Sequence, residues 1–181
     1  MDAADDARVV RGFGVVQPIP YRLLFRIAPR IGANAFALPD GTLVVTDGLV
    51  ELAGDDEEVL AVLAHELGHV HERHGLRLLL RGSVLALFTA WYLGDAGSWL
   101  AAAPAALLQA DYSREMEFEA DDFAQRLLRA QGLSGEPLAV MLEKLQAARA
   151  GAGQGDAAGT WLDSHPRTGE RIARLRGRGG G

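Results

Sequence analysis

The chain has 181 residues, a net charge of −6 and 49% hydrophobic residues, which suits one domain with a proper buried core. Acidic residues are scattered and no basic run is sustained, which argues against nucleic acid as a partner. There is no cysteine, so disulfides and thiolate zinc sites are excluded and any metal must be held by histidine and carboxylate.

Residues 1–20 carry little periodicity and are closed off by Pro18 and Pro20, a lead-in rather than part of the core. The acidic opening Met1 to Asp6 is followed by no apolar run, so no signal peptide is expected; a piece of a longer parent would read the same way. Tyr21 to Ile27 (YRLLFRI), Asn34 to Leu38 (NAFAL) and Thr42 to Thr46 (TLVVT) read as strands. Pro39-Asp40-Gly41 supplies a tight turn between the last two, and a small antiparallel sheet is expected. A helix then starts near Asp55 or Asp56, where Asp55 and Glu58 resemble a capping box. Val59, Leu60, Val62, Leu63, Leu67 and Val70 would bury it as far as Arg73 or beyond, with Gly75 a candidate interruption.

Residues 76–110 are the most apolar stretch. Gly82 to Leu93 is uncharged but only twelve residues long, and Trp99 to Ala110 contains Pro104. Neither run reaches the roughly 20 residues a membrane span needs. A helical hairpin packed in or against the core is expected; the sharper alternative is a membrane-facing hairpin with Trp91, Tyr92 and Trp99 at an interface. Ser113 caps a helix reaching about Gln131 and stopped by Gly132, with Met116, Ala120, Phe123 and Leu127 in its buried stripe. Pro137 to Arg149 forms the next helix. A glycine-rich flexible loop over 151–159 leads to Ser164-His165-Pro166 and a short basic helix, Thr168 to Leu175. The whole is one domain: lead-in 1–20, core 21–175 and a disordered tail 176–181.

The chemistry gathers at His65-Glu66-Leu67-Gly68-His69. Residues four apart on a helix point the same way, so His65 and His69 can grip one metal ion. Glu66 lies about 100° further round, where a general base belongs. If the helix continues, His71 and His74 fall about 120° and 180° from His65 and cannot reach the same ion, so both read as surface or packing histidines. The extended metzincin pattern fails, because Glu72 and Gly75 stand where glycine and histidine are required. Glu72 returns to the histidine face, although a solvated glutamate suits it better. The third ligand must come from elsewhere, and Glu117-Phe118-Glu119-Ala120-Asp121 is the best source. Glu117 and Asp121 share a face, so one carboxylate can bind metal while the other supports a ligand histidine.

HELGH at 65–69, SREMEFEAD at 113–121 and SHPRTGER at 164–171 together resemble the signatures of the HtpX and CaaX prenyl-protein endopeptidase family of zinc metallopeptidases. The likeness runs from about Asn34 to Arg171, and NAFALPDGTLVVTDGLVEL at 34–52 fits the family's sheet. It implies an α+β, mainly helical, zincin-like (gluzincin-type) domain with its sheet beside the HExxH helix. It also implies one zinc ion per chain held by His65, His69 and Glu117, with Asp121 as the carboxylate behind a ligand. Through it His165 and Arg171 become catalytic candidates close to the metal. His165 would either stabilise the oxyanion or take the fourth zinc position and keep the enzyme latent.

The expected function is zinc-dependent hydrolysis of peptide bonds in protein substrates, with Glu66 as general base, in a protein quality-control setting. The alternative is a latent or non-catalytic zincin-fold module that holds unfolded proteins. Asn34, Ala35 and Phe36 would bind an extended peptide as an added strand. By the resemblance, a bacterial-type cell envelope is favoured, with membrane association through 76–110 or an anchor outside this chain.

Overall fold

The computed structural model describes residues 21–80, 112–151, 161–166 and 168–177. The expected lead-in, most of the apolar hairpin with Trp91, Tyr92 and Trp99, the glycine-rich loop and the last four residues lie outside these. Among the described residues, no helix is long and apolar enough to cross a membrane.

The three strands are β1 (Arg22–Arg26), β2 (Ala35–Ala37) and β3 (Thr42–Thr46). They form one sheet in the order β1-β3-β2. All five residues of β3 are buried, which is why it takes the centre. β2 runs antiparallel to β3, with Ala35 opposite Val45 and Ala37 opposite Leu43, across the expected turn. β1 runs parallel to β3, so the sheet is mixed and not the antiparallel one expected. The reason is the connection over 27–34. Asp47 Oδ1 accepts from the Ala28 amide at 2.8 Å. Thr46 Oγ1 donates to the Gly32 carbonyl at 2.7 Å and accepts from the Asn34 amide at 2.8 Å. These bonds tie the connection across the end of β3, so β1 and β2 flank it and cannot form a hairpin with each other.

The outer edge of β2 follows from the same ladder. Thr46 donates to the Asn34 carbonyl at 3.0 Å, and the Leu38 amide donates to Thr42 at 2.7 Å. Positions 34, 36 and 38 therefore face β3, and alternation turns the backbone groups of Ala35 and Ala37 outward.

Two short steps lead to the central helix. α1 (Asp47–Leu52) is capped by Thr46, and α2 (Asp56–His71) by Asp55, whose side chain accepts from the Glu58 amide at 3.0 Å. The Glu58 carboxylate reaches back to the Gly54 amide at 2.8 Å, one residue beyond a regular capping box, and pairs with Lys144 at 2.6 Å. α3 (Arg114–Ala130) has Ser113 as its cap, as expected. α2 and α3 are in contact because residue 68 is glycine. A Cβ there would lie 2.8 Å from both Cα and O of Ala120. Gly68→Ala is therefore expected to cost about 1–3 kcal/mol and to push the two helices apart. A denaturant melt of the metal-free protein checks this.

α2 stops earlier than its pattern suggests. Glu72 caps it, donating to the Gly68 carbonyl at 2.9 Å, and Arg73 adopts a left-handed φ of 56°. The chain is helical again over 74–80, so the interruption falls at Glu72 and Arg73 and not at Gly75. α4 (Glu136–Gly151), α5 (Trp161–Ser164) and α6 (Thr168–Gly177) complete the described elements. α6 runs two residues past Leu175, because Arg176 pairs with Glu136 at 2.8 Å and Glu143 at 2.7 Å. The core joins Leu43 and Val45 of the sheet to Leu63 and Leu67 of α2, Leu128 of α3, Leu142 of α4 and Trp161 of α5.

Candidate metal centre

α2 and α3, held close by Gly68, bring His65 and His69 against Glu117, and α5 brings in His165. One ligand-type atom from each of these four buried side chains lies within 4.8 Å of every other. His65 Nε2 is 2.9 Å from His69 Nε2 and 3.3 Å from His165 Nδ1. Glu117 Oε1 is 3.4 Å from His69 Nε2 and 3.0 Å from His165 Nδ1, and Glu117 Oε2 is 3.6 Å from His65 Nε2. Donors placed tetrahedrally at 2.0–2.1 Å from one zinc ion sit about 3.4 Å apart, so this set fits the ion.

The remaining atoms agree. His65 Nδ1 lies 2.8 Å from Asp121 Oδ1, which fixes the proton on Nδ1 and leaves Nε2 bare toward the other donors. Burial, with Arg171 nearby, pulls His65 down to about 3, so its ring is neutral, as a metal ligand must be. Arg171 is fully buried and grips Asp121 twice, from Nε at 2.8 Å and Nη2 at 2.7 Å. Its Nη1 meets Glu117 Oε2 at 2.5 Å. Burial would raise both carboxyls, but Arg171 with His65 brings Asp121 to about 2, and His165 with Arg171 holds Glu117 well below its usual range. Arg171 thus sits on the Nδ1 side of His65, 3.3 Å from that atom, behind the ligand cluster.

Glu66 stands beside this cluster. Its Oε1 accepts from Trp161 Nε1 at 2.8 Å and lies 3.4 Å from His165 Nε2. Its Oε2 is buried with no hydrogen-bond partner among the described residues. Burial lifts its carboxyl to about 7. A buried acceptor left open next to a set of converging donors is where an attacking water would fit.

The predicted residues do not all behave as expected. His71 is on the surface, as expected, stacked on Phe123 at 4.8 Å. Glu72 is a cap near Arg77 and His71, away from the cluster. His74 departs most. The break at Arg73 turns it back, so that it is fully buried with Nδ1 2.9 Å from His69 Nδ1 and Nε2 2.8 Å from Glu119. It is a neighbour of a candidate ligand, although not one of the donors. Two further aromatic residues escaped the sequence reading. Tyr112 lies over His69 with ring centroids 3.9 Å apart, and Trp161 stacks on His165 at 4.2 Å. The spacing of Trp161 and His165, four residues apart, was the available signal for the second.

A mixed sheet beside an HExxH helix, with an acidic partner from α3, defines a zincin-like α+β domain. The chain belongs to peptidase family M48, whose model matches residues 19–179. It is 32% identical over 169 residues to the metalloprotease LoiP of Escherichia coli, covering 90% of this chain and 63% of that protein. It is 32% identical over 152 residues to the Escherichia coli metalloprotease YcaL, covering 80% and 58%. It is also 32% identical over 193 residues to a protease HtpX homolog of Acaryochloris marina, covering 82% and 64%. The matched stretch thus spans under two thirds of each of these relatives.

Proposed function

We propose that the protein is a zinc-dependent endopeptidase with one zinc ion per chain, held by His65, His69 and Glu117. The observation that carries this reading is the convergence of four buried donors at tetrahedral spacing beside the open Oε2 of Glu66. A zinc ion bound there would polarise a peptide carbonyl and lower the pKa of a water towards roughly 7. Glu66 takes the proton from the attacking water and hands it to the departing amine. Asp121 and Arg171 set the orientation of His65 and Glu117. The likeness to proteins named metalloproteases supports the reading.

Substrate would enter along β2. An extended peptide would pair with the outward backbone of Ala37; of the other residues expected to bind it, Ala35 is fully buried and Asn34 and Phe36 turn their backbones to β3. A cavity of about 290 Å³ beside His69, lined by Ala37, Leu38, Pro39, Val70, Leu76 and Tyr112 among others, would take an apolar substrate side chain. Protein or peptide substrates follow, in a quality-control role at a bacterial-type cell envelope, with a membrane contact through 76–110 or an anchor outside this chain.

Digestion of casein with and without chelator tests the activity: cleavage that chelator abolishes supports the reading. Binding of unfolded casein with no cleavage supports the alternative of a holding module. For His165 we favour latency: its Nδ1 lies 3.3 Å from His65 Nε2, where it would serve as a fourth donor, and its Nε2 lies 3.4 Å from Glu66 Oε1. His165→Ala is expected to raise cleavage per bound zinc. A loss of about 10²-fold would assign His165 to the oxyanion instead.

A further inference from the structure

Beyond the four donors, a second chain of polar groups leads from His69 through the buried His74 to the surface. His74 Nδ1 lies 2.9 Å from His69 Nδ1, His74 Nε2 lies 2.8 Å from Glu119 Oε2, and Arg77 Nη1 donates to the same Glu119 oxygen at 3.1 Å. His74 is fully buried, whereas the Glu119 side chain is 46% exposed. We propose that His74 and Glu119 form an arm that fixes the tautomer and ring orientation of His69, with His74 as a positioning residue. The inference rests on the reading of His69 as a metal ligand.

Counting protons gives one consistent arrangement. To bind through Nε2, His69 must carry its proton on Nδ1. The acceptor facing that proton is His74 Nδ1, which must then be bare. His74 therefore carries its proton on Nε2, where Glu119 accepts it. Reversing either ring would set two bare or two protonated nitrogens against each other at 2.9 Å. The arm matches the one on the other histidine, where Asp121, gripped by Arg171, receives the Nδ1 proton of His65. Outer partners of this kind set the orientation and basicity of a ligand imidazole.

The backbone supports the same conclusion. In an unbroken helix, residue 74 would lie about 140° from residue 69. Arg73 takes up a left-handed conformation that non-glycine residues rarely hold, and this turns His74 back onto His69. The strained residue and the buried imidazole are adjacent, and the first makes the second geometrically possible.

The zinc dissociation constant of the full chain, measured by competition with a chromogenic chelator, tests the arm. His74→Phe keeps bulk without an acceptor and is expected to weaken zinc binding about 10–100-fold. His74→Asn places an oxygen near the lost Nδ1 and should restore most of that affinity, with a cobalt d–d spectrum like the wild type's. Glu119→Ala, at the exposed end of the arm, should weaken binding about 10-fold and serves as the deciding variant if His74→Phe does not fold. Unchanged affinity in His74→Phe and Glu119→Ala overturns the arm. So does equal weakening in His74→Phe and His74→Asn, which would mark a packing role. A wild-type chain that binds no zinc would contradict the metal-centre reading itself, a failure distinguishable from that of the arm.

Discussion

Glu66→Gln is expected to leave zinc bound and to lower peptide cleavage by about 10²–10⁴-fold, the range a positioned general base contributes. The hydrogen bonding around residue 66 explains why so small a change should be so costly. Trp161 Nε1 donates to Glu66 Oε1 at 2.8 Å, so a glutamine must turn its carbonyl oxygen to Trp161. Its NH₂ then occupies the place of the open Oε2, and a donor stands where an acceptor is needed. The four donors of the cluster remain intact, because Glu66 is not among them. Retained cleavage in this variant would contradict the assignment.

The same substitution has a second consequence in protein stripped of metal. Burial lifts Glu66 from an ordinary 4.5 to about 7, so the folded chain holds this proton more tightly than the unfolded chain. Its contribution to stability is complete below pH 4.5 and is lost as pH rises through 7. Glutamine does not titrate. The stability difference between Glu66→Gln and wild type should therefore move in favour of glutamine by about 3 kcal/mol over that window. Denaturant melts in chelator at a series of pH values give the number, and a difference that stays flat with pH would contradict it.

Arg171→Met is expected to destabilise the metal-free fold by about 3–5 kcal/mol. Arg171 is fully buried and is the cation that compensates two buried carboxylates, Asp121 and Glu117. Removing it leaves Asp121 with His65 and Glu117 with His165, and takes away the guanidinium both carboxylates share. Methionine fills much of the space, which separates lost charge from lost packing. Arg171→Lys should rescue little, because a single ammonium cannot reproduce the double grip on Asp121 together with the contact to Glu117. The resemblance drawn from the sequence placed Arg171 among the catalytic candidates. Its position on the Nδ1 side of His65 suits it to orienting the candidate ligands, and on the proposed reading its loss should appear in stability and zinc affinity before turnover. A melt unchanged from wild type would contradict this.

Local signals carried far in this chain. TLVVT became β3 without a shift, Asp55 and Ser113 capped the helices expected of them, and HELGH lies on one helix. The pair Glu117 and Asp121 was legible because a four-residue spacing on a helix is a statement about faces. What stayed hidden depends on tertiary bonds or on rare backbone. The parallel pairing of β1 is set by hydrogen bonds from Thr46 and Asp47 to a distant loop, which no periodicity reports. His74 was set aside because helical geometry was carried through Arg73, and a left-handed arginine leaves no mark in composition. The role of Gly68 was equally silent, since only the approach of Ala120 shows why that position of the motif is glycine. Arg171 lies 50 residues from Asp121, a separation on which helical spacing says nothing, and only the family resemblance singles it out.

Zinc content tests the central claim most directly. Purified wild-type chain, dialysed against metal-free buffer and measured by elemental analysis, should retain one equivalent of zinc. The same treatment of Glu117→Ala should leave a small fraction of an equivalent, with the fold preserved in far-UV circular dichroism. A wild-type chain that holds no zinc, or a Glu117→Ala chain that keeps a full equivalent, would contradict the account.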